Sequence, residues 1–193
     1  MNIYLRLRLI YIVLRTVATS SKTAVFRAHG IPEPVSVFNL YRPDAPFMSA
    51  SLPGASLPLA IVPPNVTLVG PIVRASAHIE EQDPELAGWL ARGPTVLVIL
   101  GSAVIYQEFR AKEMAGALAM VLGKLPDVQV LWKFKKYDEY GDAFLEPLRE
   151  FLDSGRLRMP NWINADPYSM LETGHVVMSV HHGGANSYGE ALA

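Results

Sequence analysis

The residues best suited to chemistry in this 193-residue chain lie together at its end, in HHGGANSYGEALA (181–193), directly after the apolar run VVMSV (176–180). A buried strand, two glycines and then a helix is a physical recipe for holding an anion. Gly183 and Gly184 carry no Cβ, so the backbone can approach a ligand closely. The unpaired amides of the first helical turn, at the positive end of the helix dipole, then face that ligand. In open α/β sheets such sites lie outside the carboxyl ends of the strands, which is where this loop falls. His182, Asn186 and Glu190 are spaced by four and lie broadly on one side of the helix that begins there. They offer a ring donor, an amide and a carboxylate, and a carboxylate can accept two hydrogen bonds from sugar or ribose hydroxyls. The same residues also fit an ordinary strand-to-helix turn capped by Asn186 or Ser187, and the segment alone does not choose between the two.

Two positions elsewhere fit the same chemistry. Trp162 follows a proline and precedes Asp166-Pro167, so it sits in a loop where a large flat ring is a poor partner for water. There it can stack on a base, a contact worth ~1–3 kcal/mol, or plug a neighbouring helix. Gly101-Ser102 closes the run TVLVIL (95–100), which makes it either a second phosphate-facing loop or a simple turn into a helix. The remaining histidines are weaker candidates. His29, in HGIPEP, and His78, in an acidic stretch, read as solvated surface residues rather than general bases. His175, His181 and His182 make no zinc site, because neither a helix-spaced pair nor a carboxylate partner accompanies them.

These residues need a scaffold, and from Gly93 the sequence supplies one. Run 95–100 is continuous, β-branched and apolar, as expected of a parallel strand buried on both faces; 128–134 and 176–180 read as further strands, with a shorter one at 157–159. Between them, Phe109, Met114, Leu118, Val121, Leu122 and Leu125 form a long helical stripe. A second helix is predicted over 142–152, a short one over 167–173 and a last one over 185–192. Strand–helix alternation means crossover connections and an α/β fold with a parallel sheet covered on both faces. Upstream, 76–92 is polar and acidic, with a short helix at 84–91, and has the character of a linker. Residues 31–75 are rich in proline, with a brief strand at 66–69 closed by Gly70-Pro71. Residues 1–30 read as helical.

Composition narrows the function classes. Half of the residues are hydrophobic, so the chain can bury a sizeable core. Seventeen Lys and Arg against 18 Asp and Glu give a net charge of −1, which lacks the basic surplus of a general nucleic-acid binder. With no cysteine, disulfides, thiolate metal sites and a cysteine nucleophile are excluded. The opening MNIYLRLRLIYIVLRTV is broken by Arg6, Arg8 and Arg15, so no run approaches the ~20 residues needed to span a bilayer. Its uncharged core, 9–14, is short for a signal peptide. Ile3, Leu7, Ile10 and Leu14 fall at helical spacing, which predicts an amphipathic helix facing a core.

The order GPTVLVILGS, then the loop bearing Trp162, then MLETGHVVMSVHHGGANSYGEAL resembles the nucleotide-binding half of the UDP-glycosyltransferases of the GT-B fold. The HHGGANS form is similar to their fungal members. The family signature runs from a tryptophan through a strand to His-x-Gly-x-Asn-Ser-x-x-Glu, and His182, Gly184, Asn186, Ser187 and Glu190 stand at those positions. The resemblance extends over roughly residues 60–193. It implies a partial, Rossmann-like C-terminal domain for UDP-sugar at 93–193, a linker at 76–92 and the tail of an N-terminal acceptor-binding domain at 1–75. In that family a hexose passes from a UDP-sugar to an acceptor hydroxyl, with inversion and without a metal or other cofactor. Trp162 would stack on uracil, and His182 with the amides of Gly183 and Gly184 would contact the diphosphate. Asn186 and Ser187 would hold phosphate oxygens, Glu190 the ribose hydroxyls, and Ser102 would lie near the diphosphate. The resemblance further implies a small lipophilic acceptor, leaves peripheral membrane association open, and suits a cytoplasmic or membrane-associated protein.

The sequence also departs from the family pattern. The usual Trp-x-Pro-Gln reads Trp162-Ile163-Asn164-Ala165, and an earlier signature histidine falls at Thr173, with His175 displaced from it. The chain stops before the Asp-Gln pair that grips the sugar, and no residue of 1–75 matches the family's catalytic histidine. The expectation is therefore a fragment, inactive alone, that keeps part of the nucleotide site and exposes a sheet edge and an apolar helix face. The alternative is a non-catalytic module that binds a nucleotide or a partner. A dinucleotide-dependent oxidoreductase is disfavoured, since no Gly-x-Gly-x-x-Gly follows a strand.

Overall fold

The computed structural model describes residues 3–4, 7–12, 21–30, 43–52, 54–55, 58–73, 77–137 and 139–192. The chain forms two compact units: Met1–Phe47 with Ile61–Thr67, and Met48–Ala60 with Leu68–Ala193.

In the first unit, residues 3–4 and 7–12 are helical, as is α1 (Ser21–Ala28). Ile3, Leu7 and Ile10 are exposed, which departs from the core-facing helix expected from their spacing. None of the buried core residues described lies in this unit. Leu14 and residues 31–42 lie outside the described residues. The brief strand predicted at 66–69 is β2 (Val66–Leu68), which pairs with β1 (Phe47–Ser49).

The second unit holds the expected parallel sheet. Its strands are β3 (Thr95–Ile99), β4 (Gln129–Trp132), β5 (Leu157–Arg158) and β6 (Val176–His181), in the order β5-β4-β3-β6. All three pairings are parallel, with Leu97 opposite Leu131 on one side and Ser179 on the other. Alternation along the strands builds two apolar layers. Val96, Val98, Val130 and Trp132 pack with α4 (Glu108–Lys124), the 3-10 turn Asp142–Leu148 and α5 (Arg149–Asp153). Leu97 and Leu131 face the other way, toward α2 (Ile79–Gln82), α3 (Pro84–Leu90) and Met170 of α6 (Pro167–Leu171). The last helix, α7 (Ala185–Leu192), follows β6. β6 is an edge strand, and its Val177 and Met178 are exposed.

Several elements differ from their sequence reading, each for an identifiable reason. The acidic stretch read as a linker belongs to the second unit, and Ile79, Leu86, Trp89 and Leu90 are core residues. Asp83 starts α3 by accepting from the Leu86 amide at 2.9 Å, and the Trp89 indole donates to the Gly155 carbonyl at 2.8 Å. On α4 two alanines, Ala111 and Ala115, stand in the buried stripe with Leu118 and Leu122, while Phe109 and Leu125 are turned outward. The segment 142–152 begins as a 3-10 turn, because Pro147 has no amide to give an α-helical bond.

The buried amide of Gln129 ties the second unit together at the amino ends of β3 and β4. Its Nε2 donates to Thr95 Oγ1 at 2.8 Å and lies within reach of the Trp89, Leu90 and Gly93 carbonyls at 3.0–3.2 Å. Gln129→Leu would preserve bulk but leave those acceptors without their donor. A loss of about 1–3 kcal/mol in unfolding free energy is expected, measurable as a lower urea midpoint with an unchanged slope.

Candidate functional site

The carboxyl ends of β3 and β6 open into a cleft of about 440 Å³. Six residues singled out from sequence line it: Ser102, His182, Gly184, Asn186, Ser187 and Glu190. They meet because β3 and β6 are hydrogen-bonded neighbours, so the loops leaving their carboxyl ends are neighbours too. Asn186 and Glu190 reach this cleft from the last helix, whereas His182 reaches it from the loop before that helix begins. Each of the two loops turns on a glycine with positive φ, Gly101 at 90° after β3 and Gly183 at 77° after β6.

The imidazole of His182 sits between the two loops. A Cβ on Gly184 would lie 2.5 Å from its Nε2, and one on Gly101 would lie 2.8 Å from its Cε1. The two bare backbones thus make the slot that the ring occupies. Gly183 has a different part from the one expected. It does not line the cleft, and its amide donates to His181 Nδ1 at 3.1 Å. That amide is engaged within the loop, and the positive φ is what Gly183 contributes.

Trp162 lines a second, smaller cavity of about 180 Å³, with Tyr106, Lys135 and Asn161. Leu100, Gly101, Ser102, Val104 and Lys133 line both cavities, so the two are contiguous along the end of β3. The indole is 61% exposed and is therefore no plug against a neighbouring helix. Lys133 Nζ lies 3.9 Å from the indole centroid, a close cation–π contact. Burial holds the Lys133 ammonium below its ordinary pKa, with a further push from Lys135.

Lys133 and Lys135 were not identified from the sequence. Lys133 falls inside the strand predicted at 128–134; the strand ends instead at Trp132, which leaves both lysines just past its carboxyl end, on the same side as the glycine loop. The family departure at Thr173 has a local explanation. Its hydroxyl donates to the Met170 carbonyl at 2.7 Å and accepts from the His175 amide at 3.1 Å, closing the turn before β6. Among the described residues, no group of three metal-ligating side chains is assembled, and no helix is long and apolar enough to cross a membrane.

Glu190 is the titratable group of the cleft whose environment is most informative. Burial raises its pKa above the usual carboxylate value, and Asp166 pushes in the same direction. The fold therefore holds a proton on Glu190 more tightly than the unfolded chain does. Ionised Glu190 subtracts from stability once pH rises above the unfolded value, and the full penalty is present above the folded one. Glu190→Gln should melt slightly higher than the wild type at pH 7.5 and at the same temperature near pH 3.5. Thermal melts at the two pH values check this.

No protein-family model matches the chain. Over 169 residues it is 44% identical to the glycosyltransferase sdnJ of Sordaria araneosa, which covers 85% of this chain. The chain spans 33% of that relative's length. Its fold is similar to the crystal structure of the glycotransferase of kitacinnamycin, with a TM-score of 0.50 at 18% identity. That similarity covers 100% of this chain and 47% of the solved one.

Proposed function

The chain belongs by homology with the glycosyltransferases, and on that footing we propose that its second unit binds the UDP part of a UDP-sugar. One observation carries this reading. Ser102, His182, Gly184, Asn186, Ser187 and Glu190 line a single cleft at the carboxyl ends of two adjacent parallel strands, contiguous with the cavity bearing Trp162. A nucleoside diphosphate has the matching sequence of groups: a flat base, two diol hydroxyls and a doubly charged middle.

In this reading uracil stacks on the exposed indole of Trp162. The diphosphate lies against the start of α7, where the unpaired amides and the positive end of the helix dipole face it. His182 donates to a phosphate oxygen, Asn186 and Ser187 hold others, and Ser102 closes the cradle from β3. Glu190, ionised, accepts the ribose hydroxyls. In the whole protein, an activated acceptor hydroxyl would attack the anomeric carbon of the hexose from the side opposite UDP, with inversion. The same helix end would then stabilise the negative charge developing on departing UDP, without a metal ion. A small lipophilic acceptor fits this scheme, and the chain's own share of the work is to hold the leaving group.

The test is calorimetric titration with UDP. Trp162→Ala should weaken UDP by about 1–3 kcal/mol, the worth of a base stacked on an aromatic ring. Inorganic pyrophosphate, which has no base to stack, should lose no affinity in Trp162→Ala. Equal UDP affinity in the two proteins would remove the indole from the site.

A further inference from the structure

Lys133 stands where the two cavities meet, and the proposed function leaves it without a part. It lines both the helix-end cleft and the indole cavity, and among the described residues it contributes the one lysine or arginine side chain to the lining of the cleft. Among the described residues it has no carboxylate within ion-pair distance; the aspartates and glutamates that make salt bridges pair with Lys112, Lys136, Arg149 and Arg158. Its ammonium rests instead on the Trp162 indole, 3.9 Å from the ring centroid. A half-buried cation held only by a ring face is poorly compensated, and a phosphate in the adjoining cleft would compensate it far better.

We propose that Lys133 is both the counter-charge for the diphosphate and a latch on the indole. This rests on the reading of the site given above and names a residue and an order of events within it. In the empty site the ammonium covers one face of Trp162. A diphosphate at the start of α7 draws the ammonium off the ring and into the cleft, and the freed face then receives the base. The helix end supplies only about half a charge, so a full positive charge is needed against a group carrying two or more negative ones. Base and diphosphate thereby help one another to bind. A uridine without phosphates must displace the ammonium with nothing to receive it.

The experiment compares uridine, inorganic pyrophosphate and UDP on the wild type, Lys133→Met and Lys133→Arg, by calorimetry. Methionine keeps the length and apolar body of the side chain without its charge. Lys133→Met should bind UDP and pyrophosphate at least tenfold more weakly, and uridine more tightly, than the wild type. Lys133→Arg should keep the wild-type order of all three. The gain in uridine affinity is the decisive readout, since a variant that merely folded badly would lose it. Undiminished UDP affinity in Lys133→Met, or uridine affinity that stays level or falls, overturns the latch while leaving the nucleotide site standing. A wild type that binds neither UDP nor pyrophosphate overturns the latch and the proposed function together.

Discussion

Replacing Gly184 by alanine should leave the fold intact and weaken UDP binding by about 1.5–3 kcal/mol, the worth of a charge-assisted hydrogen bond, or roughly ten- to a hundredfold. Gly184 has an ordinary φ, so alanine meets no backbone strain there. Its Cβ, however, would lie 2.5 Å from Nε2 and 2.7 Å from Cε1 of His182. Those are the far atoms of an exposed side chain, so the imidazole yields rather than the backbone and swings out of the slot between the two loops. The variant should melt within about 0.5 kcal/mol of the wild type, as surface changes usually do, and lose the phosphate contact. His182→Ala should cost a similar amount, and the double variant little more, because both remove one interaction. Additive losses in that cycle would mean that the imidazole is not what Gly184 makes room for.

The largest effect on stability should come from Trp132→Ala, at about 3–5 kcal/mol. Trp132 is fully buried on the α4 side of the sheet, opposite Val98, and packs edge-on against Tyr106 and Phe134 at centroid distances of 5.4 and 4.8 Å. Its indole also donates to the Tyr106 hydroxyl at 3.0 Å, so truncation adds an orphaned polar group to the cavity. Against a typical stability of 5–15 kcal/mol, that loss would leave a large fraction unfolded in mild urea. Tyr106 lines the indole cavity as well, so the same core group backs the site. Trp132→Phe, which refills much of the space, should recover most of the loss. Urea unfolding followed by circular dichroism measures both.

The sheet was legible because its strands announce themselves. Thr95–Ile99 lies in a short apolar, β-branched run closed by Gly101-Ser102, the pattern of a strand buried on both faces, and Val130–Trp132 is the apolar centre of the next. The carboxyl-end loop was legible for the same reason: once β6 is placed, HHGG has to leave its end. What escaped notice depended on packing against distant residues. In 76–92 the charges of Glu80, Glu81, Asp83 and Glu85 mask an apolar side carried by Ile79, Leu86, Trp89 and Leu90. On α4 half of the buried stripe is alanine, Ala111 and Ala115 beside Leu118 and Leu122, and alanine weighs little in a hydrophobic pattern. Lys133 was hidden because nothing in its neighbourhood of sequence reveals that Trp162, far along the chain, lies 3.9 Å from its ammonium. Gly183 shows the converse. Its conformation was foreseeable from the turn, but the His181 ring that takes its amide was not.

The central claim is that one nucleotide touches both the start of α7 and the loop indole. It is tested most directly by titrating the isotopically labelled chain with UDP and following individual protons by NMR. The amides of Ala185, Asn186 and Ser187 and the indole Nε1–H of Trp162 should shift together, saturating at one UDP concentration. The buried indoles of Trp89 and Trp132, held by the Gly155 carbonyl and the Tyr106 hydroxyl, should stay still. UDP that moves none of these amides, or moves them with a different midpoint from the Trp162 indole, would contradict a single site.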